Sequence, residues 1–259
     1  MTRIVALGAS NLTRGFHTIV ATARSMAGPD TEVIAALGHG RSYGMASRLL
    51  VRTLPGILQS GLWHQLEVLP AAPTRALVTD VGNDVLYGMP ADRIVTWVDE
   101  AVARLQRITG DIVLTDLPLA RARRLSRLGF LAFRSVVVPQ CRLSLSEVLD
   151  TAERVNEGLE AIAAARGVRF FRLKPEWYGA DPIHIRPSLW KAAWQEILSG
   201  GEPGVVMTEA ARTAEAVTSR REACRLYFLR PERQWLFGRE QFTPQHGVRL
   251  GPGGRVWLY

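Results

Sequence analysis

Arg3-Ile4-Val5-Ala6-Leu7-Gly8-Ala9-Ser10-Asn11 opens the chain, and its reading decides the fold. Ile4 to Leu7 is a short apolar run with β-branched residues, the mark of a strand buried on both faces. Gly8 ends it and Ser10 follows at once. Ile19, Val20, Ala23 and Met26 then recur at roughly helical spacing. A buried strand that passes through a short turn into a helix is half of a parallel αβ unit. This places Ser10 at the carboxyl edge of a sheet, beside a helix N-terminus whose partial positive charge favours an anion. Ser and Asn are also the leading helix caps, so a purely structural reading of Ser10 or Asn11 stands beside the chemical one.

The same unit recurs along the chain. Strands are predicted near 3–8, 32–37, 75–80, 111–116 and 168–173. Helices are predicted near 12–26, 43–60, 91–108, 146–165 and 186–199. Ser144 and Glu147 form a capping box for the fourth of these helices, and Gly167 suits its end. Five strands alternating with helices imply a parallel sheet covered on both faces. Such sheets bind ligands at the carboxyl ends of their strands.

Three further strand ends carry chemistry. Gly38-His39-Gly40 follows the second strand, and a backbone N–H at Gly40 can donate to an oxyanion. His39 is a second candidate base or an ordinary loop residue. The spacing from Gly38 to Gly44 is one residue off a dinucleotide fingerprint, which gives a nucleotide-binding reading. Gly82-Asn83-Asp84 follows the third strand. Asn83 offers a side-chain amide, and the same three residues equally suit a turn or a cap. Asp181-Pro182-Ile183-His184 follows the last strand. Asp with Pro next to it is a standard helix start, but that does not account for His184. The chemical reading makes His184 a general base, with Asp181 holding one ring nitrogen so that the other faces Ser10. A hydroxyl, a base, an orienting acid and oxyanion donors are the inventory of a serine acyl hydrolase.

In these four blocks the chain resembles the SGNH (GDSL-type) serine esterases and lipases. The key residues are Ser10, Gly40, Asn83 in Gly-Asn-Asp, and His184 in Asp-x-x-His, and the likeness runs from residue 1 to about 200. The resemblance implies a flavodoxin-like three-layer αβα sandwich on a five-stranded parallel sheet. It also implies a Ser10–His184–Asp181 triad and an oxyanion hole built from Ser10 N–H, Gly40 N–H and the Asn83 side chain. There are two departures. The family usually has Asp before the nucleophile where this chain has Ala9, and an apolar or small residue after it where this chain has Asn11.

The 259 residues suit one large domain or a domain with an appendage, and a chain this long needs no staples to bury a core. A hydrophobic content of 47% with 22% charged residues is that of a globular enzyme. The apolar stretch after Arg3 is too short for a signal peptide, and no run spans a membrane, so a cytoplasmic protein is expected. Cys141 and Cys224 are then expected as free thiols. No His/Cys cluster has metal spacing, and neither metal nor cofactor is expected. The net charge of +8 is nearly all arginine, with only Lys174 and Lys191 as lysines. No nucleic-acid partner is inferred from it. The densest patch, Arg121, Arg123, Arg124, Arg127 and Arg134, is interleaved with Leu125, Leu128, Phe130, Leu131 and Phe133. It reads as an amphipathic segment with a solvated face, or else as a basic rim beside the pocket.

A domain covering 1–204 is followed by an extension over 205–259. Residues 205–222 look helical. Cys224–Arg230, Gln234–Gly238, Gly247–Leu250 and Arg255–Tyr259 look β-like, with the last pair as a hairpin. The extension is a candidate cap, dimerisation surface or pocket rim. Trp177, Tyr178 and Tyr43 are candidate pocket walls. The expected partner is a small-molecule ester. The alternatives are a non-hydrolytic binding module on the same fold and a nucleotide-binding protein using Gly38–Gly44.

Overall fold

The computed structural model describes residues 1–137, 141–201, 220–251 and 253–259. The first four strands of the main sheet in chain order are β1 (Arg3–Leu7), β2 (Glu32–Ala36), β5 (Thr74–Val78) and β6 (Asp111–Thr115), and the fifth is β7 (Arg169–Phe171). They run parallel in the order β2-β1-β5-β6-β7. All five lie where the apolar runs predict them. β1 and β2 are buried along their whole length, as strands covered on both faces must be.

Helices cover both faces. On one side pack α3 (Leu62–Val68), α5 (Ala91–Gln106) and α8 (Leu145–Arg166), which share a core with Val5, Leu7, Val78 and Leu114. On the other side, α2 (Phe16–Ala27) and α9 (Trp190–Ser199) pack with Ile4, Ala6, Val33 and Leu77. The three-layer αβα sandwich follows. α8 begins with the Ser144–Glu147 capping box and ends at Gly167 with φ of 65°, as its sequence predicts.

A short helix α1 (Ser10–Arg14) precedes α2 and is separated from it by Gly15. A Cβ at Gly15 would stand 2.5 Å from Trp194 Nε1, so only glycine lets α9 approach this closely. At the carboxyl ends of β5 and β6 lie two further short helices, α4 (Asn83–Leu86) and α6 (Leu119–Ala122), followed by α7 (Arg127–Val137).

Three expectations need correction. The helix expected near 43–60 is instead a hairpin of β3 (Ser47–Leu49) and β4 (Arg52–Leu54), followed by a 3-10 turn over Ile57–Gln59. The hairpin is held by a long-range partner that local periodicity does not reveal. β4 pairs with β8 (Arg233–Leu236), which in turn pairs with β9 (Arg239–Phe242), forming a separate four-stranded antiparallel sheet. The main sheet has seven strands rather than five. The C-terminal hairpin of β10 (Val248–Arg249) and β11 (Arg255–Leu258) adds β11 to β2 in parallel. Finally, the stretch Cys224–Arg230, expected to be β-like, begins within helix α10 (Arg220–Tyr227), whose Leu226 is buried with α2 and β11. Most of the helix expected over 205–222 lies outside the described residues.

Cys141 is buried and Cys224 exposed, and both are free thiols. Among the described residues no helix is long and apolar enough to cross a membrane.

Candidate active site

The end of β1 delivers Ser10. Ala9 occupies the cap position of α1 and makes no side-chain capping bond, and the Ser10 side chain turns elsewhere. Ser10 Oγ lies 2.9 Å from His184 Nε2, and His184 Nδ1 lies 2.6 Å from Asp181 Oδ2. A carboxylate can only accept, so it fixes the imidazole proton on Nδ1 and leaves Nε2 to accept from the Ser10 hydroxyl. The three residues come from opposite ends of the chain and form one hydrogen-bonded line.

Asp181 does not cap a helix, because regular helix resumes only with the 3-10 turn at Pro187–Leu189 and α9. Its two oxygens divide the work. Oδ1 accepts from the N–H groups of Ile183 and His184, both at 3.2 Å, closing a tight turn. Oδ2 takes the His184 ring and lies 3.5 Å from Arg14 Nη1. Partial burial opposes ionisation of Asp181. The hydrogen bond and charge of His184, the Ile183 N–H and Arg14 outweigh it and hold the carboxyl below its usual range. The side chain of His184 is only 12% exposed.

Two residues that sequence reasoning did not assign hold this line in place. Asp80, at the end of β5, has φ of 59°, a left-handed conformation that Asp tolerates better than most residues. Its Oδ2 accepts from the N–H groups of Ala9 (3.1 Å), Asn11 (2.8 Å) and Leu12 (3.1 Å). Its Oδ1 accepts from Asn11 Nδ2 at 2.7 Å. Asn11 reaches onward to the histidine segment. Its Nδ2 also donates to Ile183 O at 2.9 Å, and its Oδ1 accepts from Ile185 N at 2.8 Å. A single amide thus ties the serine turn, the end of β5 and both neighbours of His184 together. The one available signal was an acid at the carboxyl end of a buried strand, just ahead of Gly82-Asn83.

Asn83 starts α4, and its Nδ2 donates to Arg41 O at 3.3 Å. Asp84 is fully buried. Its Oδ2 accepts from Tyr43 N at 2.9 Å, and burial pushes its carboxyl up to about 6. The Gly-Asn-Asp block therefore clamps the 38–44 loop. Gly40 has φ of 68°, and its carbonyl accepts from the Tyr87 hydroxyl. A Cβ there would stand 2.7 Å from the Tyr87 oxygen.

His39 is kept neutral by burial first, then by the charges of Arg52, His184 and Arg14, which bring it down to about 4. Much of this loop's backbone is already engaged within the protein. The N–H groups of residues 41 to 45 bond to Gly38 O, Ser47 Oγ, Asp84 Oδ2 and, for both Gly44 and Met45, Ser42 Oγ.

A cleft of about 870 Å³, counting its open mouth, runs away from Ser10 and Asn83. Asp80 and Ile183 edge it, and its far walls are apolar, with Leu117, Leu125, Phe130, Val148 and Leu149 among them. Gly40 does not line it. Leu125 and Phe130 belong to the arginine-rich segment, so the apolar side of that segment faces the cleft. Arg123 pairs with Glu153 at 2.8 Å, and Arg134 donates to Leu143 O at 2.8 Å.

The aromatic walls expected from sequence do not line this cleft. Tyr43 is buried, with its hydroxyl bonded to Leu7 O and Thr79 O between β1 and β5. Trp177 stacks on Phe171 in the core, and Tyr178 is buried beside it. Among the described residues no group of three or more His, Cys, Asp or Glu could hold a metal ion.

No family model and no curated protein sequence matches the chain. Its fold does match solved structures. One, at 15% identity and a TM-score of 0.52, covers 78% of this chain and 100% of its own. The native aryl esterase of M. smegmatis matches at 14% identity and a TM-score of 0.50, over 77% of this chain and 97% of that one. A member of the lipolytic protein G-D-S-L family from Veillonella parvula aligns over 77% of this chain and 96% of that one, at 12% identity and a TM-score of 0.47. The first two likenesses show a shared fold.

Proposed function

We propose that this protein is an SGNH-type serine hydrolase that cleaves a carboxylic ester through an acyl-enzyme. One observation carries the reading: the continuous line Ser10 Oγ–His184 Nε2 at 2.9 Å and His184 Nδ1–Asp181 Oδ2 at 2.6 Å. A helix cap or a turn needs neither the second contact nor the first, whereas general-base activation of a hydroxyl needs both.

His184 Nε2 takes the Ser10 proton as Oγ attacks the ester carbonyl. The oxyanion is received by the N–H of Ser10, the N–H of Gly40 and Asn83 Nδ2. Asp80 engages the N–H groups on either side of Ser10, at Ala9 and Asn11, and that of Leu12, but not that of Ser10 itself. His184 then protonates the leaving alcohol, and water releases the acyl group by the same route. The apolar cleft beyond Asn83 suits an apolar acyl group.

The direct test is a fluorophosphonate probe, which reacts only with an activated serine. Labelling at Ser10, lost in Ser10→Ala and in His184→Ala, is the expected result. A chain that resists labelling while folded returns the site to a non-hydrolytic binding module.

Asp181→Asn separates turn from triad. The amide oxygen can still accept the two N–H groups, so the melting temperature should hardly move. The amide nitrogen, however, favours the wrong imidazole tautomer, and kcat should fall by about tenfold to a thousandfold. Unchanged kcat would reduce the site to a Ser10–His184 dyad.

Asn11→Ala removes the tie between the serine turn and the histidine segment without touching a reacting atom. A misplacement of about 1 Å costs up to about a hundredfold, so kcat should fall by roughly tenfold to a hundredfold while KM stays close to wild type. Kinetics on one soluble ester check this. A loss confined to KM would assign Asn11 to substrate binding instead.

A further inference from the structure

We propose that the paired tips of the β3–β4 and β8–β9 hairpins dock this protein onto an anionic lipid bilayer. Both hairpins close with two-residue turns, Leu50-Val51 between Leu49 and Arg52, and Phe237-Gly238 between Leu236 and Arg239. β4 and β8 are neighbours, and Phe237 N donates to Val51 O at 2.9 Å, so the two tips form one protrusion.

The tips are built against local preference twice over. Leu50 and Phe237 have φ of 55° and 50°, a left-handed backbone usually left to glycine or asparagine. Both side chains are 78% exposed, and Val51 beside them is 40% exposed. Neither the turn nor the core gains from a large apolar side chain at these positions. A surface that buries the tip does.

The surrounding charge selects the partner. The two hairpins, residues 47–54 and 233–242, contain four arginines, Arg48, Arg52, Arg233 and Arg239, and one acid, Glu240, which pairs with Arg233 at 3.2 Å. Arg52 and Arg239 both stand opposite Leu236, in the row directly beneath the tips. Arg48 donates to Leu50 O at 3.0 Å, which places its guanidinium beside the turn. An apolar tip over a basic collar matches acyl chains beneath anionic headgroups. A second copy of this chain fits poorly, because a two-fold contact would set two arginine collars against each other. The protrusion lies against the 38–44 loop: Leu49 pairs with Arg52 in the row beneath the tips, and a Cβ at Gly40 would stand 3.4 Å from Leu49 Cβ. Docking therefore brings the candidate site beside the lipid, although binding itself does not depend on hydrolysis.

The test is co-sedimentation with vesicles of phosphatidylcholine, with and without phosphatidylglycerol. Wild type should bind the phosphatidylglycerol vesicles, and added salt should weaken that binding. The double variant Leu50→Asn/Phe237→Asn should lose at least about tenfold in apparent affinity, because it withdraws two large apolar side chains from the interface. Asn suits left-handed turns, so this variant should melt no lower than wild type and should label equally at Ser10. Ser10→Ala should bind vesicles normally, which keeps the test independent of the proposed hydrolysis. Absent binding by wild type overturns the proposal, as does undiminished binding by the double variant. So does a wild-type dimer in light scattering that the double variant dissolves, since the tips would then be a contact between copies.

Discussion

Purified Ser10→Ala protein should hydrolyse a soluble acyl ester at least about a thousandfold more slowly than wild type, with an unchanged melting temperature. The magnitude follows from the site. Removing a triad member in a well-studied protease costs on the order of a millionfold, because nucleophile and base act as one unit. Ser10 Oγ is the hydroxyl that the His184–Asp181 pair is placed to deprotonate. The fold should not notice the change. Ala9, not Ser10, occupies the cap position of α1, and Asp80 holds the turn through the N–H groups of other residues. Kinetics beside a thermal melt decide the matter. Retention of more than about a tenth of the activity is far above the residual rate of a disabled triad and would remove Ser10 from the chemistry.

Asn83→Ala should lower kcat by roughly a hundredfold to a thousandfold and leave KM nearly unchanged, because an oxyanion donor acts on charge that develops only in the transition state. Asn83→Asp should be at least as damaging, since a carboxylate repels the oxyanion. The ground-state contact of Asn83 is a single 3.3 Å hydrogen bond to Arg41 O, a long one, so its loss should cost little stability. If both variants keep a normal kcat but melt earlier, Asn83 serves only to clamp the 38–44 loop.

The parallel core and the candidate site residues were legible for the same reason. Strands buried on both faces are near-continuous apolar runs, so their ends are sharp, and the side chains that follow them stand out. Ser10 and Asn83 sit shortly past such ends, while Asp181 and His184 follow the loop after β7, which ends at Phe171. What was hidden depends on partners distant in sequence. The hairpin over 47–54 is held by β8, which begins only at Arg233. The terminal strand β11 looks like an isolated hairpin arm until β2 is set beside it. Cys224–Arg230 has β-like composition, but its first turn is helical and buries Leu226 against α2 and the C-terminal strand. Tyr43 looked like a pocket wall because an aromatic residue in a glycine-rich loop suits one. Its hydroxyl instead bridges the ends of β1 and β5 inside the core. Asp80 and Asn11 read as ordinary polar residues, because nothing local says that each will face the other.

That facing pair bears on how such chains are found and altered. The carboxylate that steadies the serine turn is not adjacent to the serine but comes from the end of a neighbouring strand, at position 80 rather than position 9. A pattern written along the chain compares position 9 with its template and finds alanine. A pattern written in space finds an acid beside the turn. Placing aspartate at position 9 would set a second carboxylate next to the first, so that substitution is not neutral here. Positions 9, 11 and 80 form one unit of change, and a substitution at any of them is meaningful only against the other two.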